Sequence, residues 1–185
     1  MLKAYYAKLK SNSDSVAAYG LLETAYQAEF GGSLPEIKKT QNGKPYFPTS
    51  PDIHFSLSHS KTHVLCAISD EPIGADIESP RTLRQQVINY YASDEELAEF
   101  DPLDLWVLKE SYIKLLGGTL ILVKKIRFTN LDEKIITRKS DQNVLYSDEE
   151  TYSKLYHESG CHIALSSYSN RFPETILMGD IKNNG

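Results

Sequence analysis

Residues 55–78, FSLSHSKTHVLCAISDEPIGADIE, decide the fold prediction, because their pattern indicates two β-strands and the start of a third. Apolar and polar residues alternate over 55–59, as in a strand with one covered face. The unbroken apolar run over 64–68 is typical of a strand that is covered on both faces. Turn-forming residues follow over 69–72 and lead into the strand predicted over 73–78.

The third of these strands carries two carboxylates on one face. Period-two alternation places Gly74, Asp76 and Glu78 together and the apolar residues on the opposite face. The carboxylates repel each other unless both face water or a cation lies between them, and hard cations such as Mg²⁺ take carboxylate oxygens as ligands. The spacing alone favours a solvated edge strand and leaves a cation site as the alternative.

Composition predicts a globular protein and excludes several classes of function. The chain has 185 residues, 41% hydrophobic and 24% charged, which suffices for one domain or two small lobes. A net charge of −5 argues against nucleic acid or an anionic membrane as a partner. No secretory leader and no apolar run of about 20 residues are found. Cys66 and Cys161 lie in apolar runs and are predicted to be buried, reduced thiols, which indicates a cytoplasmic protein.

The other predicted elements give a strand–helix–strand order before residue 80 and again after it. We expect a strand over 2–9, helices over 15–29, 82–91 and 102–116, a capped helix start at 93–96, and strands over 126–131, 134–137, 144–146, 162–167 and 175–178. This order indicates an α+β fold with two similar lobes, residues 1–80 and 81–185.

The helix predicted over 102–116 carries a line of side chains with possible functional roles. Trp106, Glu110 and Lys114 follow one another at intervals of four residues and therefore lie along one face. Glu110 and Lys114 could be a surface ion pair worth about 0.2–0.5 kcal/mol. Alternatively, they supply a carboxylate for a metal and an ammonium for a phosphate, one helical turn apart.

Four motifs follow one another along the chain: the turn GKP at 43–45, HFSLSHS at 54–60, PIGADIE at 72–78 and WVLKESYIK at 106–114. In order and spacing they resemble those of the 4′-phosphopantetheinyl transferases, in the larger two-lobed class that primes peptide and polyketide synthases. The resemblance implies two pseudo-twofold-related lobes, each a small antiparallel sheet packed on a long helix. It places the active site at the interface between the lobes.

The resemblance also implies a reaction and a set of residues that perform it. The 4′-phosphopantetheine group of coenzyme A would pass to a serine of an apo acyl or peptidyl carrier protein, with release of 3′,5′-ADP. Asp76, Glu78 and Glu110 would hold Mg²⁺, or Mn²⁺ as an alternative. Glu110 would be the general base, directly or through a water, and Lys114 would contact the pyrophosphate.

Further residues correspond to coenzyme A contacts in this family. The resemblance assigns Lys44, Ser58 and His59 to coenzyme A, with His59 at its 3′-phosphate. Each has an ordinary alternative, since a lysine beside a turn is commonly solvated and a histidine at a strand end commonly bonds to backbone. Glu95 corresponds to an acidic residue near the metal site, and its position at a helix start is the competing explanation.

The chain departs from the family pattern in its first helix. No lysine or arginine occurs over 11–26, where the family has basic residues that face the nucleotide. Either coenzyme A binds more weakly here, or Lys38, Lys39 or Lys61 supplies the missing charge. The mixed apolar and basic stretch 116–125 is the predicted carrier-docking surface, and we expect a monomer. A non-catalytic protein that binds coenzyme A or a carrier on the same fold, and an unrelated α+β protein, are the alternatives.

Overall fold

The computed structural model describes residues 1–9, 14–131, 134–139 and 151–182. Its elements are β1 (Leu2–Lys8), α1 (Asp14–Phe30), β2 (Lys38–Lys39), β3 (Pro45–Tyr46), β4 (His54–His59), β5 (His63–Ser69), β6 (Ile73–Glu78), α2 (Gln85–Tyr91), α3 (Asp94–Glu99), α4 (Pro102–Leu116), a 3₁₀ helix (Leu120–Lys124), β7 (Ile126–Leu131), β8 (Lys134–Lys139), β9 (Tyr152–Glu158), β10 (Cys161–Ser167) and β11 (Leu177–Met178). The fold is α+β, as predicted.

Two sheets organise the molecule, and they exchange strands. The first has the order β11-β1-β5-β4 and the second has the order β6-β10-β9-β8-β7. Strand β6 pairs antiparallel with β10, whereas β11 pairs parallel with β1. Each sheet therefore takes a strand from across residue 80, and the division into lobes at that residue stays a prediction.

Helix α1 covers one face of the first sheet. Its apolar residues at helical spacing, among them Leu21, Leu22 and Ala25, are fully buried and pack with Phe47 and Phe55. Burying a large apolar side chain of this kind contributes about 1.5–3 kcal/mol. The helix thus fixes β4, which supplies one wall of the site described below.

Helix α4 lies across β6 and β10 and has well-formed ends. The Asp101 side chain accepts a hydrogen bond from the Leu103 amide at 2.8 Å, and Gly117 ends the helix with a φ of 64°. A Cβ atom at Gly74 would lie 1.9 Å from the Ser111 carbonyl oxygen, so only glycine permits this contact. Asp76, two residues along the same strand, is only 5% exposed. The interpretation of this strand face as solvated is therefore wrong, because α4 covers it.

A buried ion pair joins α4 to its neighbours. The Lys109 ammonium is fully buried and lies 3.0 Å from the Glu96 carboxylate. It also donates to the carbonyls of Tyr91 and Ile126, while Glu96 accepts from the Phe128 amide at 2.9 Å. Burial lowers the pKa of Lys109 to about 8, and Glu96 opposes that effect. The pair holds α2, α3, α4 and β7 together.

Other elements depart from the prediction in detail. The helix expected over 82–91 begins at Gln85, and β9 was not predicted at all. The alternation of β9 is hidden because Ser153, which shares a hydrogen bond of 2.7 Å with Ser166, occupies an inward position where an apolar residue would be expected. The strand predicted over 144–146 lies outside the described residues. Cys66 and Cys161 are free and buried, as predicted. No helix in the described parts of the chain is long and apolar enough to span a membrane.

Candidate active site

The residues predicted for metal and pyrophosphate come together in one cleft. Strand β6 contributes Asp76 and Glu78, α4 contributes Glu110 and Lys114, and β4 contributes Ser58. The cleft has a volume of about 340 Å³ and is also lined by Leu57, His59 and Trp106. We call it the acidic cleft.

A three-residue network forms the centre of the acidic cleft. The Lys114 ammonium lies 2.7 Å from Asp76 Oδ1 and donates to Ser58 Oγ at 2.8 Å. Ser58 Oγ in turn donates to Asp76 Oδ1 at 2.6 Å. The charge of the buried Asp76 carboxylate is therefore balanced by a lysine that is itself partly exposed to the cleft.

Glu78 is held from two sides. Its Oε1 accepts from the Trp106 indole at 3.2 Å and from the Arg81 guanidinium at 2.7 Å. Burial raises the pKa of the Glu78 carboxyl, and Arg81 opposes the increase. Arg81 was not predicted as part of the site. The sequence feature that could have indicated its role is its position three residues after Glu78, just beyond the strand.

Glu110 is the most perturbed carboxyl in the cleft. Its pKa rises from 4.5 to about 7, first through burial and then through the charges of Asp76 and Glu78, with Lys114 opposing. Mutual repulsion of this kind is what a divalent cation relieves. The oxygen-only donor set of Asp76, Glu78 and Glu110 therefore fits Mg²⁺ or Mn²⁺ in its chemistry.

The carboxylates of the acidic cleft are not already gathered around one point. Among the described residues, the group whose possible ligand atoms all lie within 4.8 Å of one another is Asp104, His157 and His162, outside this cleft. Lys114 meanwhile occupies an oxygen of Asp76. Side-chain adjustment, including displacement of that ammonium, would accompany cation binding.

A second cleft, of about 300 Å³, opens directly beside the first. The two share Leu57, Ser58, His59 and Lys114. Lys39, Lys44 and the ring of Tyr19 also line the second cleft, which we call the basic cleft. Tyr19, on α1, was missed because its helix lacks the basic residues that would have drawn attention to it. The two clefts make a groove that is cationic at one end and anionic at the other.

Of the lysines proposed to replace the missing basic residues, Lys39 is the one that lines the basic cleft. Lys38 lies 3.7 Å from Glu36, and Lys61 is exposed beyond β4. The ammonium of Lys44 lines the cleft but also donates to the Leu115 carbonyl at 2.8 Å, at the end of α4. Burial lowers the pKa of Lys44 to about 8.

Glu95 lies apart from both clefts. It is exposed in the first turn of α3, and its pKa is lowered by a backbone hydrogen bond and by Ser93. Ser93 and Glu96 form the capping box at this helix start. These contacts support the helix-start explanation for Glu95.

More than half of the chain matches a known protein family. Residues 72–168, more than half of the chain, match the family described as the 4′-phosphopantetheinyl transferase superfamily. The matched stretch contains β6 and α4, and with them all three carboxylates of the acidic cleft and Lys114.

Individual relatives carry the same description. The chain is 30% identical over 151 residues to the 4′-phosphopantetheinyl transferase Sfp of Bacillus subtilis strain 168, covering 74% of this chain and 64% of that protein. It is 30% identical over 126 residues to the transferase gsp of Aneurinibacillus migulanus, covering 62% and 48%. With AcpT of Escherichia coli K12 it shares 34% identity over 99 residues, covering 46% and 51%. The chain thus spans less than two thirds of the length of these relatives.

Proposed function

Because the chain belongs to the 4′-phosphopantetheinyl transferase superfamily, we propose that it transfers the 4′-phosphopantetheine group of coenzyme A to a serine of an apo acyl or peptidyl carrier protein. The other product is 3′,5′-ADP. The observation that carries the proposal is the joining of the basic and acidic clefts at Ser58 and Lys114. A ligand with a nucleotide at one end and, directly next to it, a pyrophosphate to be cleaved matches that charge pattern.

The basic cleft would receive the adenosine 3′-phosphate part of coenzyme A. Lys39 and His59 supply positive charge or hydrogen-bond donors for phosphate oxygens, and Tyr19 offers an aromatic ring for the base. His59 is assigned to the 3′-phosphate. Lys44 contributes less directly, because its ammonium already bonds to the end of α4.

Lys114 would hold the pyrophosphate where the two clefts meet. An ammonium has three donors and can serve a phosphate oxygen while it keeps its bond to Ser58. Its contact with Asp76 would then be free to break. The arrival of the pyrophosphate would thus release the Asp76 carboxylate for another positive partner.

The chemistry takes place in the acidic cleft. A Mg²⁺ or Mn²⁺ held by Asp76, Glu78 and Glu110 would neutralise charge that develops on the pyrophosphate. Glu110 accepts the carrier-serine proton directly or through a water. The serine oxygen forms a bond to the β-phosphorus as the bond from that phosphorus to the bridging oxygen breaks. The electron pair leaves with 3′,5′-ADP.

The carrier protein would dock beside this groove. Leu120 and Ile121 of the 3₁₀ helix are exposed, within the predicted docking stretch 116–125. Tyr90 of α2 lies beside the same 3₁₀ helix, with the Lys124 ammonium 4.0 Å from its ring centre. An apolar patch with a basic edge suits an acidic carrier. Ile121→Asp should raise the KM for the carrier and leave the KM for coenzyme A unchanged.

The cellular setting follows from the same proposal. Buried free thiols at Cys66 and Cys161 are typical of a reducing compartment, which supports a cytoplasmic protein. We also propose a monomer whose lobes, 1–80 and 81–185, have the active site between them. Light scattering at working concentration tests the monomer, and a stable dimer would reject it.

The test is intact-mass spectrometry of fatty-acid, polyketide and peptide apo carriers after incubation with the protein, coenzyme A and Mg²⁺. Addition of one phosphopantetheine, abolished by EDTA, is the expected result. Glu110→Gln should lower the rate by a factor of about 10² or more, whereas Glu95→Gln is the matched acidic control and should be active. Coenzyme A binding without modification of any carrier would reject transfer in favour of the non-catalytic alternative. Neither binding nor modification would reject both.

A further inference from the structure

A second cluster of possible ligands lies outside the groove and has no part in the proposed reaction. The Asp104 carboxylate oxygen Oδ1 lies 2.8 Å from Nε2 of His157 and 2.7 Å from Nδ1 of His162. These ligand atoms all lie within 4.8 Å of one another. Two imidazole nitrogens and a carboxylate oxygen therefore already converge on a single point.

The backbone arranges this convergence. His157 on β9 and His162 on β10 are direct partners in the antiparallel register, so their side chains leave the sheet on the same face. Their rings meet edge to face with centres 5.1 Å apart. Asp104 lies in the first turn of α4, which packs over that face, and a carboxylate is favoured at a helix N-terminus.

The position of the cluster suits an exchangeable ion. The Asp104 and His162 side chains are 13% and 22% exposed, while His157 is 57% exposed and opens the cluster to solvent. An open cleft that His162 shares with Asp101 and Arg81 lies alongside. Protein groups thus fill three positions from the sheet and helix, and water can approach from the open side.

Two hydrogen bonds to one carboxylate are the simpler explanation of these contacts. That explanation accounts for the hydrogen bonds, but the same three atoms can also bind a metal ion, because each imidazole nitrogen can exchange its proton for the ion. Imidazole ligands suit Zn²⁺, Cu²⁺, Ni²⁺ and Fe²⁺, whereas Mg²⁺ and Ca²⁺ select oxygen. Three protein ligands with one open position form a common zinc arrangement.

We propose that Asp104, His157 and His162 bind Zn²⁺ or a similar nitrogen-preferring divalent cation, at a site separate from the acidic cleft. The proposal is independent of the transferase function. Its position gives it a structural effect, because His162 is the register partner of Glu78 on β6. An ion bound here ties the first turn of α4 to the β9–β10 pair, one strand away from a residue of the acidic cleft.

The test is a Zn²⁺ titration of the whole, metal-stripped protein by calorimetry and by competition with a chromogenic chelator. One Zn²⁺ site that excess Mg²⁺ does not displace is expected, and His157→Gln and His162→Asn should each weaken it at least about tenfold. Glutamine places an N–H donor near the Nε2 position of His157, and asparagine places one near the Nδ1 position of His162, so each variant can keep its hydrogen bond to Asp104. His54→Gln, which removes a histidine outside the cluster, and Glu110→Gln, which alters the acidic cleft, should bind Zn²⁺ as the parent does.

Two further measurements separate the outcomes. Excess Mg²⁺ should leave the bound Zn²⁺ in place, and Co²⁺ should show the visible absorption of nitrogen-ligated cobalt only while both cluster histidines are present. Unchanged affinity in both histidine variants, with circular dichroism confirming their fold, would overturn the proposal. Loss of Zn²⁺ binding in Glu110→Gln would also overturn it, by placing the ion in the acidic cleft.

Discussion

Replacing Glu110 by glutamine should stabilise the metal-free protein although it removes the proposed base. The Glu110 carboxyl, on α4, is largely buried and lies close to the charges of Asp76 and Glu78, and these surroundings raise its pKa to about 7. A neutral amide of nearly the same shape carries no such repulsion. The substitution therefore removes an electrostatic cost from the folded state and creates no cavity.

The size of the effect follows from the two pKa values of Glu110. One pKa unit corresponds to about 1.4 kcal/mol, so a change from 4.5 to about 7 sets an upper limit of about 3 kcal/mol. Partial exposure to the cleft reduces this, and we expect about 1–3 kcal/mol. For a chain of this length, that raises the Tm by about 2–12 °C.

The sign depends on pH in a definite way. Because the folded-state pKa of Glu110 is above the unfolded one, the folded protein binds the extra proton between pH 4.5 and about 7. The parent thus loses this contribution to stability as the pH rises through that interval, whereas the glutamine variant does not. The variant should match the parent near pH 4.5 and exceed it fully above about pH 7.

Thermal unfolding in EDTA, at a series of pH values from 4.5 to 8.5, measures this difference. Glu95→Gln is the control, since Glu95 is exposed and lies outside the cleft. Adding Mg²⁺ should then stabilise the parent more than the Glu110 variant. A glutamine variant less stable than the parent at pH 8, or a difference that does not vary with pH, would refute the electrostatic argument.

Three other substitutions test the remaining features. Lys109→Met should destabilise the protein by about 3–5 kcal/mol in denaturant unfolding, because it leaves Glu96 charged and buried; adding Glu96→Gln should recover part of the loss, and an additive double variant would contradict the pairing. Gly74→Ala should cost about 1–3 kcal/mol or more, because its Cβ would meet the Ser111 carbonyl; a Tm equal to that of the parent would contradict that contact. Lys39→Ala should raise the Kd for coenzyme A by about tenfold, because one charge-assisted hydrogen bond is lost. An unchanged Kd would show that Lys39 does not contribute to coenzyme A binding.

Elements defined by local pattern could be predicted from the sequence. Strands β4 to β6 follow from alternation and turn residues, and α4 follows from the Asp101 cap and the Gly117 end. Local motifs also located the acidic cleft, because strand and helix periodicity determine which way Asp76 and Glu110 point. Their proximity, however, came from the family resemblance and not from the periodicity itself.

Features that depend on distant pairing could not be predicted in this way. Strand β9 was not predicted because the polar residue Ser153 occupies an inward position, where it shares a hydrogen bond with another strand. Nothing local to Lys44 indicates that its ammonium bonds to the end of α4. The convergence of Asp104, His157 and His162 likewise needs the register of β9 with β10 and the packing of α4 above them.

The exchange of strands between the two sheets affects how the chain can be divided. A fragment cut at residue 80 would keep β1 and lose β11, while the complementary fragment would keep β10 and lose β6. Neither half contains the whole of either large sheet, so we expect the described chain to fold and melt as a cooperative unit. The segment after β10 reaches back to β1 and α1, where the Gly179 amide donates to the Tyr6 carbonyl at 2.9 Å and Thr24 donates to the Asp180 carbonyl at 2.6 Å. A truncation of this segment would remove contacts that hold α1, the helix whose Tyr19 lines the basic cleft.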